Sequence, residues 1–122
     1  MSREFSRSDR VASQIQRDMA DLIRLNVKDP RLGMVTVSEV KVSRDLAVAE
    51  IYVTFLAASE PTDDCLELLA SHYGVLLRRE LGKRLCIRSL PELRFLFDDS
   101  IERGMHMDAL LEQLAHTQRS NQ

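Results

Sequence analysis

Apolar residues recur along this chain first at helical and then at strand spacing. Val11, Ile15, Met19, Leu22 and Ile23 follow at steps of four, four, three and one, the recurrence of an amphipathic helix. Ser8 is a candidate N-cap with Asp9 in the first turn, so the pattern predicts a helix from near Ser8 to near Leu25. Its outer face carries Arg10, Gln14, Arg17, Asp18, Asp21 and Arg24. The mixed signs read as a solvated face rather than a dedicated site. Pro30 keeps Asp29 out of helical backbone and Gly33 permits a tight turn, so a loop follows that exposes Lys28 and Arg31. Val35 and Val37, then Val40 and Val42, alternate with polar residues, with a slip of one residue at Ser38-Glu39. This predicts a strand over 34–42 with a bulge at the slip. A turn at Ser43 to Leu46 leads to a second alternating run, Ala47 to Phe55, and the short connection predicts a β-hairpin.

Thr62, Asp63 and Asp64 put negative charge at a helix start, and Leu66, Leu69, Ala70, Tyr73, Leu76, Leu77 and Leu81 continue at helical spacing. Gly74 interrupts this run at a cost of about 1 kcal/mol relative to Ala. It reads either as a kink between two helices or as a site of close backbone packing. Gly82 sits near the helix end. Leu93, Phe95 and Phe97 alternate with Glu92, Arg94 and Leu96 as a third strand, which Asp98-Asp99-Ser100 ends. Leu76, Leu77, Leu81, Phe95 and Phe97 are expected in the core. A last helix is expected from about Met107, with Gln118 to Gln122 frayed. The expected organisation is a flexible basic arm over 1–7, one domain over 8–100 and a partly helical extension over 101–122. The element order describes an α+β two-layer fold with helices on one face of a three-stranded sheet.

A length of 122 residues with 44% apolar composition suits a single domain with one core. No apolar run approaches the ~20 residues of a membrane span, and the start MSREFSRSDR has no apolar signal region. Cys65 and Cys86 share no metal-ligand or redox spacing and read as free thiols of a cytoplasmic protein. The net charge of −2 argues against a polyanion partner, but its distribution reverses the inference. Residues 45–77 carry no Lys or Arg and six Asp or Glu, whereas residues 78–94 carry six Lys or Arg and two Asp or Glu. A chain polarised in this way can bind a polyanion at one end.

The cations concentrate in Val75 to Leu93, where Arg78, Arg79, Lys83, Arg84 and Arg88 fall within eleven residues against Glu80 alone. Arg79 and Lys83 are four apart, as are Arg84 and Arg88, the spacing that stacks side chains on one face of a helix. Leu76, Leu77, Leu81 and Leu85 supply the apolar face. Such a helix is a candidate RNA contact, together with Lys28 and Arg31 on the loop and Arg3, Arg7 and Arg10 at the start of the chain. The bland alternative is a solvated face that neutralises the acidic segment before it. Aromatic residues are few, so recognition is expected through shape and backbone rather than base stacking.

Several separated segments resemble the bacterial ribosome-binding factor A family. They are Val27-Lys28-Asp29-Pro30-Arg31-Leu32-Gly33-Met34-Val35-Thr36-Val37, the run from Val40 to Tyr52 around Val42-Ser43-Arg44-Asp45-Leu46, Leu77-Arg78-Arg79-Glu80-Leu81-Gly82-Lys83-Arg84-Leu85, Pro91-Glu92-Leu93, Asp98-Asp99-Ser100-Ile101 and Gly104-Met105. The resemblance spans about residues 5–115. It implies a type II KH-like domain, α-β-β-α-(kink)-α-β, that binds the small (30S) ribosomal subunit late in assembly. It further implies action on 16S rRNA and its precursor near the 5′ end and the decoding region, and support of growth in the cold. Assembly GTPases are candidate partners in that process, and no enzymatic activity, catalytic residue or cofactor is implied. The glycines at 33, 74, 82 and 104 form no G-x-x-G loop. The family replaces that loop with an Ala-x-Gly kink, whose place here is taken by Tyr73-Gly74-Val75. Either Gly74 keeps a kink, or the two helices run on more smoothly.

No other chemistry competes. His72, His106 and His116 are scattered, and neither a nucleophile motif nor a phosphate-binding loop is present. Asp98-Asp99 reads as a strand-ending turn rather than a carboxylate pair. The remaining alternative is a protein-interaction module of the assembly machinery, without RNA contact, working through the acidic hairpin side and the C-terminal segment. The chain is expected to be monomeric.

Overall fold

The computed structural model describes residues 6–85 and 87–100; the expectations for Arg3, Cys86 and a helix from Met107 lie outside them. The first helix, α1, spans Arg7–Asn26. Its N-cap is Ser6, not Ser8. The Ser6 hydroxyl accepts from the Asp9 amide at 3.2 Å and the Asp9 carboxylate accepts from the Ser6 amide at 3.1 Å, a reciprocal capping box. Arg7 is therefore the first helical residue, and Ser8 is buried. Val27 breaks the helix in extended backbone. The loop to Gly33 closes through Leu32 N–H donating to Asp29 O and Gly33 N–H to Pro30 O.

Strands β1 (Met34–Val42) and β2 (Val48–Leu56) form the hairpin. Their antiparallel register runs from Met34↔Leu56 to Val42↔Ala49, with the irregularity between Val37 and Glu39. The bulge expected at Ser38-Glu39 is there. The Ser38 hydroxyl donates to Tyr52 O at 3.2 Å, and Gln16 of α1 donates to Ser38 O at 3.3 Å. Ser43 holds the hairpin turn, its hydroxyl accepting from the amides of Ala47 and Val48.

The chain then crosses over the sheet through α2 (Thr62–Leu68), a π-helical turn (Leu69–Tyr73) and α3 (Gly74–Arg84). The last strand, β3 (Glu92–Phe97), pairs parallel with β2, giving the order β1-β2-β3. A parallel neighbour requires such a crossover. The helices cover one face of the sheet, as the two-layer reading expected. Ile15, Met19, Leu22 and Ile23 of α1 share a core with Val37, Val40, Ala49, Ile51 and Val53 of the sheet and with Leu69, Leu77 and Leu81 of the crossover. Leu76, Phe95 and Phe97 are all half-buried, and of the three Phe95 packs against this core. Leu76 lies beside the inward line of α3, and Phe97 is the last residue of an edge strand. Asp98 N–H donates to Val53 O as the strand ends.

The helix irregularity meets the expected Tyr73-Gly74-Val75 position at Tyr73, whose backbone stands at φ −111, ψ −14 directly before α3 begins at Gly74. It occupies Leu69 to Tyr73, and Gly74 itself has ordinary helical backbone at φ −58, ψ −44. Among the described residues no close packing requires a glycine there either, because a Cβ at Gly74 would have none of them within 4 Å. Gly82 also lies inside α3, which continues to Arg84. Gly74→Ala is expected to raise stability by about 0.5–1 kcal/mol through lower unfolded-state entropy and better helix propensity. Urea unfolding checks this, and a loss of stability would show that the glycine has a local role.

Candidate nucleic-acid interface

Helix α3 is oriented by its apolar residues. Leu77 and Leu81 are fully buried, and the other side chains follow at about 100° per residue. Arg79 and Lys83 point outward and flank Glu80, at 3.8 and 3.1 Å from its carboxylate. Both remain about two-thirds exposed, at 64% and 65%. Exposed pairs of this kind bind weakly and leave both cations available to an external anion. Arg78 lies on the other flank, where its guanidinium donates to Leu90 O at 3.4 Å. It borders a shallow groove between the crossover and β3, lined also by Ala70, Gly74, Val75 and Phe95.

Arg84 has a different setting. Its guanidinium is 2.7 Å from Asp21 and 3.9 Å from Asp18, both on α1. The hydrogen bond from Arg84, followed by that from Arg24, holds the Asp21 carboxyl below the usual carboxylate range. Arg84 thus ties α3 to α1. It does not stack with Arg88 as their spacing implied, because Leu85 turns to extended backbone and Arg88 sits beyond the helix, exposed.

The loop cations also separate. Lys28 is exposed. Arg31 grips Asp29 in a bidentate pair, Nε to Oδ1 at 3.0 Å and Nη2 to Oδ2 at 2.7 Å. Its backbone carbonyl accepts from Ser59 N–H at 3.1 Å and from the buried Cys65 thiol at 3.7 Å. The Tyr73 hydroxyl reaches Asp29 at 3.5 Å, so the loop is latched to the end of the π turn. Burial, then the Asp29 charge, pushes the Tyr73 hydroxyl up, and burial raises the Cys65 thiol. Arg7 and Arg10 are exposed on α1. Among the described residues no group of His, Cys, Asp and Glu side chains could hold a metal ion, and no helix is long and apolar enough to cross a membrane.

Arg31, foremost by its side-chain hydrogen bonding, lowers Asp29 to about 2. Because the folded value lies below the unfolded one, the stabilisation is present above the ordinary carboxylate range and is lost as pH falls toward about 2. An NMR titration of the Asp29 carboxyl is expected to show its midpoint near 2, and Arg31→Gln to move it up toward about 3.9. An unmoved midpoint would exclude Arg31 as the cause.

Residues 7–111 match the family model described as ribosome-binding factor A. The chain belongs to the ribosome-binding factor A family. A ribosome-binding factor A from Aromatoleum aromaticum is 48% identical over 114 residues, covering 93% of this chain and 89% of that protein. One from Vibrio campbellii is 45% identical over 123 residues, covering 100% of this chain and 90% of that protein. Among solved structures, a putative member from Thermotoga maritima aligns with a TM-score of 0.66 at 30% identity, covering 79% of this chain and 91% of that one. The crystal structure of the Thermus thermophilus protein aligns with a TM-score of 0.63 at 31% identity, covering 75% and 96%. A homology model of the Thermus thermophilus factor, fitted into a cryo-EM map of a 30S–RbfA complex, aligns with a TM-score of 0.60 at 33% identity, covering 72% and 91%. These relatives share the KH-like α+β fold expected from the loop, hairpin and cationic-helix segments.

Two features of the site escaped sequence reading, the Arg84 tie to Asp18 and Asp21 and the Tyr73 latch to Asp29. Both join residues more than forty positions apart, which only the fold brings together. No local spacing announces either.

Proposed function

We propose that this chain binds the small ribosomal subunit during late assembly, contacting 16S rRNA or its precursor through the outward cations of α3. The observation that carries the reading is the arrangement of α3 itself. Leu77 and Leu81 anchor the helix while Arg79 and Lys83 stand exposed. Arg78, Arg88, Lys28, Arg7 and Arg10, all exposed, are the further contacts of this reading. Arg31 contributes through its exposed face, and Arg3 through the start of the chain. Support comes from the Thermus thermophilus relative fitted into a 30S complex. Binding of this kind assists rRNA processing and growth in the cold, in the cytoplasm, by a monomer acting without catalysis and alongside assembly GTPases.

The reading is tested by co-sedimentation with 30S particles. Replacing Arg78, Arg79 and Lys83 together by Ala is expected to weaken association by about tenfold or more at moderate salt, because three phosphate contacts are lost. Arg84 is left in place, since its removal would also disturb the packing of α3 on α1. Unchanged co-sedimentation would sink the reading.

A further inference from the structure

The outer face of α1 reads from sequence as a mixture of charges. In the folded protein the mixture is sorted. Asp21 is shared by Arg84 of α3 and by Arg24. Asp18 faces Arg84 and also accepts from Gln14 at 3.0 Å, and Gln14 in turn accepts from Arg17 at 2.9 Å. The two carboxylates are thus drawn toward the seam between the helices, where two guanidinium groups, Arg84 and Arg24, share them. Arg10 lies beyond the seam with its side chain exposed.

Arg10, Arg17 and Arg24 are seven residues apart and all exposed. Seven residues fall within about 20° of two full turns, so these side chains form one row, with steps of about 10 Å along the helix. The row points away from Ile15, Met19 and Ile23, which face the core. Across the seam stand Arg79 and Lys83, the outward cations of α3. Packed helices lie about 8–10 Å apart, so the outer surface of the helical layer carries two lines of positive charge.

We propose that the row Arg10, Arg17 and Arg24 is a second RNA contact, which binds the sugar–phosphate backbone of double-helical RNA. This deepens the function proposed above and rests on it. The chemistry favours a duplex over a single strand. No aromatic residue occurs in α1, and single-strand binding sites add stacking platforms to their cations. A rigid helix with evenly spaced guanidiniums instead suits a regular pair of backbones recognised by shape. Gln14 accepts from Arg17, and Asp21 divides its charge between Arg24 and Arg84, so the row keeps part of its positive charge.

The test compares the full chain with the variant Arg10→Gln, Arg17→Gln, Arg24→Gln in titrations against an RNA duplex and a single strand of equal length, over a range of salt. The variant is expected to bind the duplex about tenfold or more weakly, with the slope of log affinity against log salt reduced by about two to three, and to lose about threefold or less on the single strand. The corresponding triple Lys variant keeps the charge and is expected to restore duplex binding. If the Gln variant does not fold, Arg10→Gln alone, which touches no seam carboxylate, should reduce the slope by about one. Wild-type affinity and slope on the duplex would overturn the inference, and so would an equal loss on the single strand. Loss of RNA binding in Arg79→Gln, Lys83→Gln but not in the α1 variant overturns the inference alone. Failure of the wild-type chain to bind either RNA overturns the function it rests on as well.

Discussion

Gly33→Ala is expected to lower the unfolding free energy by about 2–4 kcal/mol, from a left-handed backbone penalty of about 1 kcal/mol and overpacking of about 1–3 kcal/mol. The backbone at Gly33 has φ +63. A Cβ there would lie 2.0 Å from Leu56 O, and 2.8 Å from both Ala57 C and Ala58 N. All three are main-chain atoms, so no side chain can rotate aside. The segments on either side of the contact are also tied, because Ser59 N–H donates to Arg31 O. Relief therefore requires displacing the end of β2 or the loop that follows α1. Urea unfolding reads the loss, and the melting temperature should fall by roughly 10 °C or more. Gly82→Ala is the control. Among the described residues its added methyl meets only the Leu90 side chain, at 3.6 Å, so it should be neutral or mildly stabilising. A cost below about 1 kcal/mol at Gly33 would mean that this junction rearranges freely, contrary to its close main-chain packing.

Leu77→Ala should cost about 3–4 kcal/mol, within the range of fully buried leucines whose surroundings relax only partly. Leu77 has 0% exposure and lies in the core formed with α1 and the sheet. The adjacent Leu76 is half-buried and lies outside that cluster. Leu76→Ala should cost less than half as much. Both are read from the urea midpoint, with the slope of the transition unchanged. Equal costs would mean that α3 is rotated so that Leu76 shares the core face, which would also turn Arg79 and Lys83 from their outward placement.

The sheet was legible because alternation is a strong local signal. A one-residue slip at Ser38 was visible as a break in that alternation, and the pairing of Val37 with Val53 and Glu39 with Tyr52 has that form. Ser8 drew the start of α1 too late, although Ser6 stands three residues before Asp9, the spacing of the reciprocal cap that the structure shows. The cationic helix was legible as a helix, but not in the employment of each cation. Spacing alone makes Arg84 equivalent to Lys83. Only the packing of α3 on α1 assigns one to Asp21 and leaves the other outward. Arg88 was expected to stack on Arg84 because its spacing is helical, but the helix ends first. Gly74 marked where the second helix of the crossover begins, but its own backbone is helical, and the departure falls on the residue before it, Tyr73, at φ −111, ψ −14.

That π turn settles an arithmetic problem in the chain. Leu69 and Leu77 are both fully buried, yet eight residues apart, and an unbroken α-helix would set them about 80° out of line. A wider turn absorbs about one residue of rotation, so the pair behaves as though seven apart and falls within about 20°. One surplus residue thus acts as an angular spacer between two inward-facing stripes, Cys65 and Leu69 before it, Leu77 and Leu81 after it. A chain shortened by one residue within Ala70 to His72 would keep both stripes facing inward on a continuous helix. The same shortening within α3 would swing its basic edge toward the core. The direction in which Arg79 and Lys83 point is therefore indexed by residue number between Leu69 and Leu77, and not by a hinge glycine.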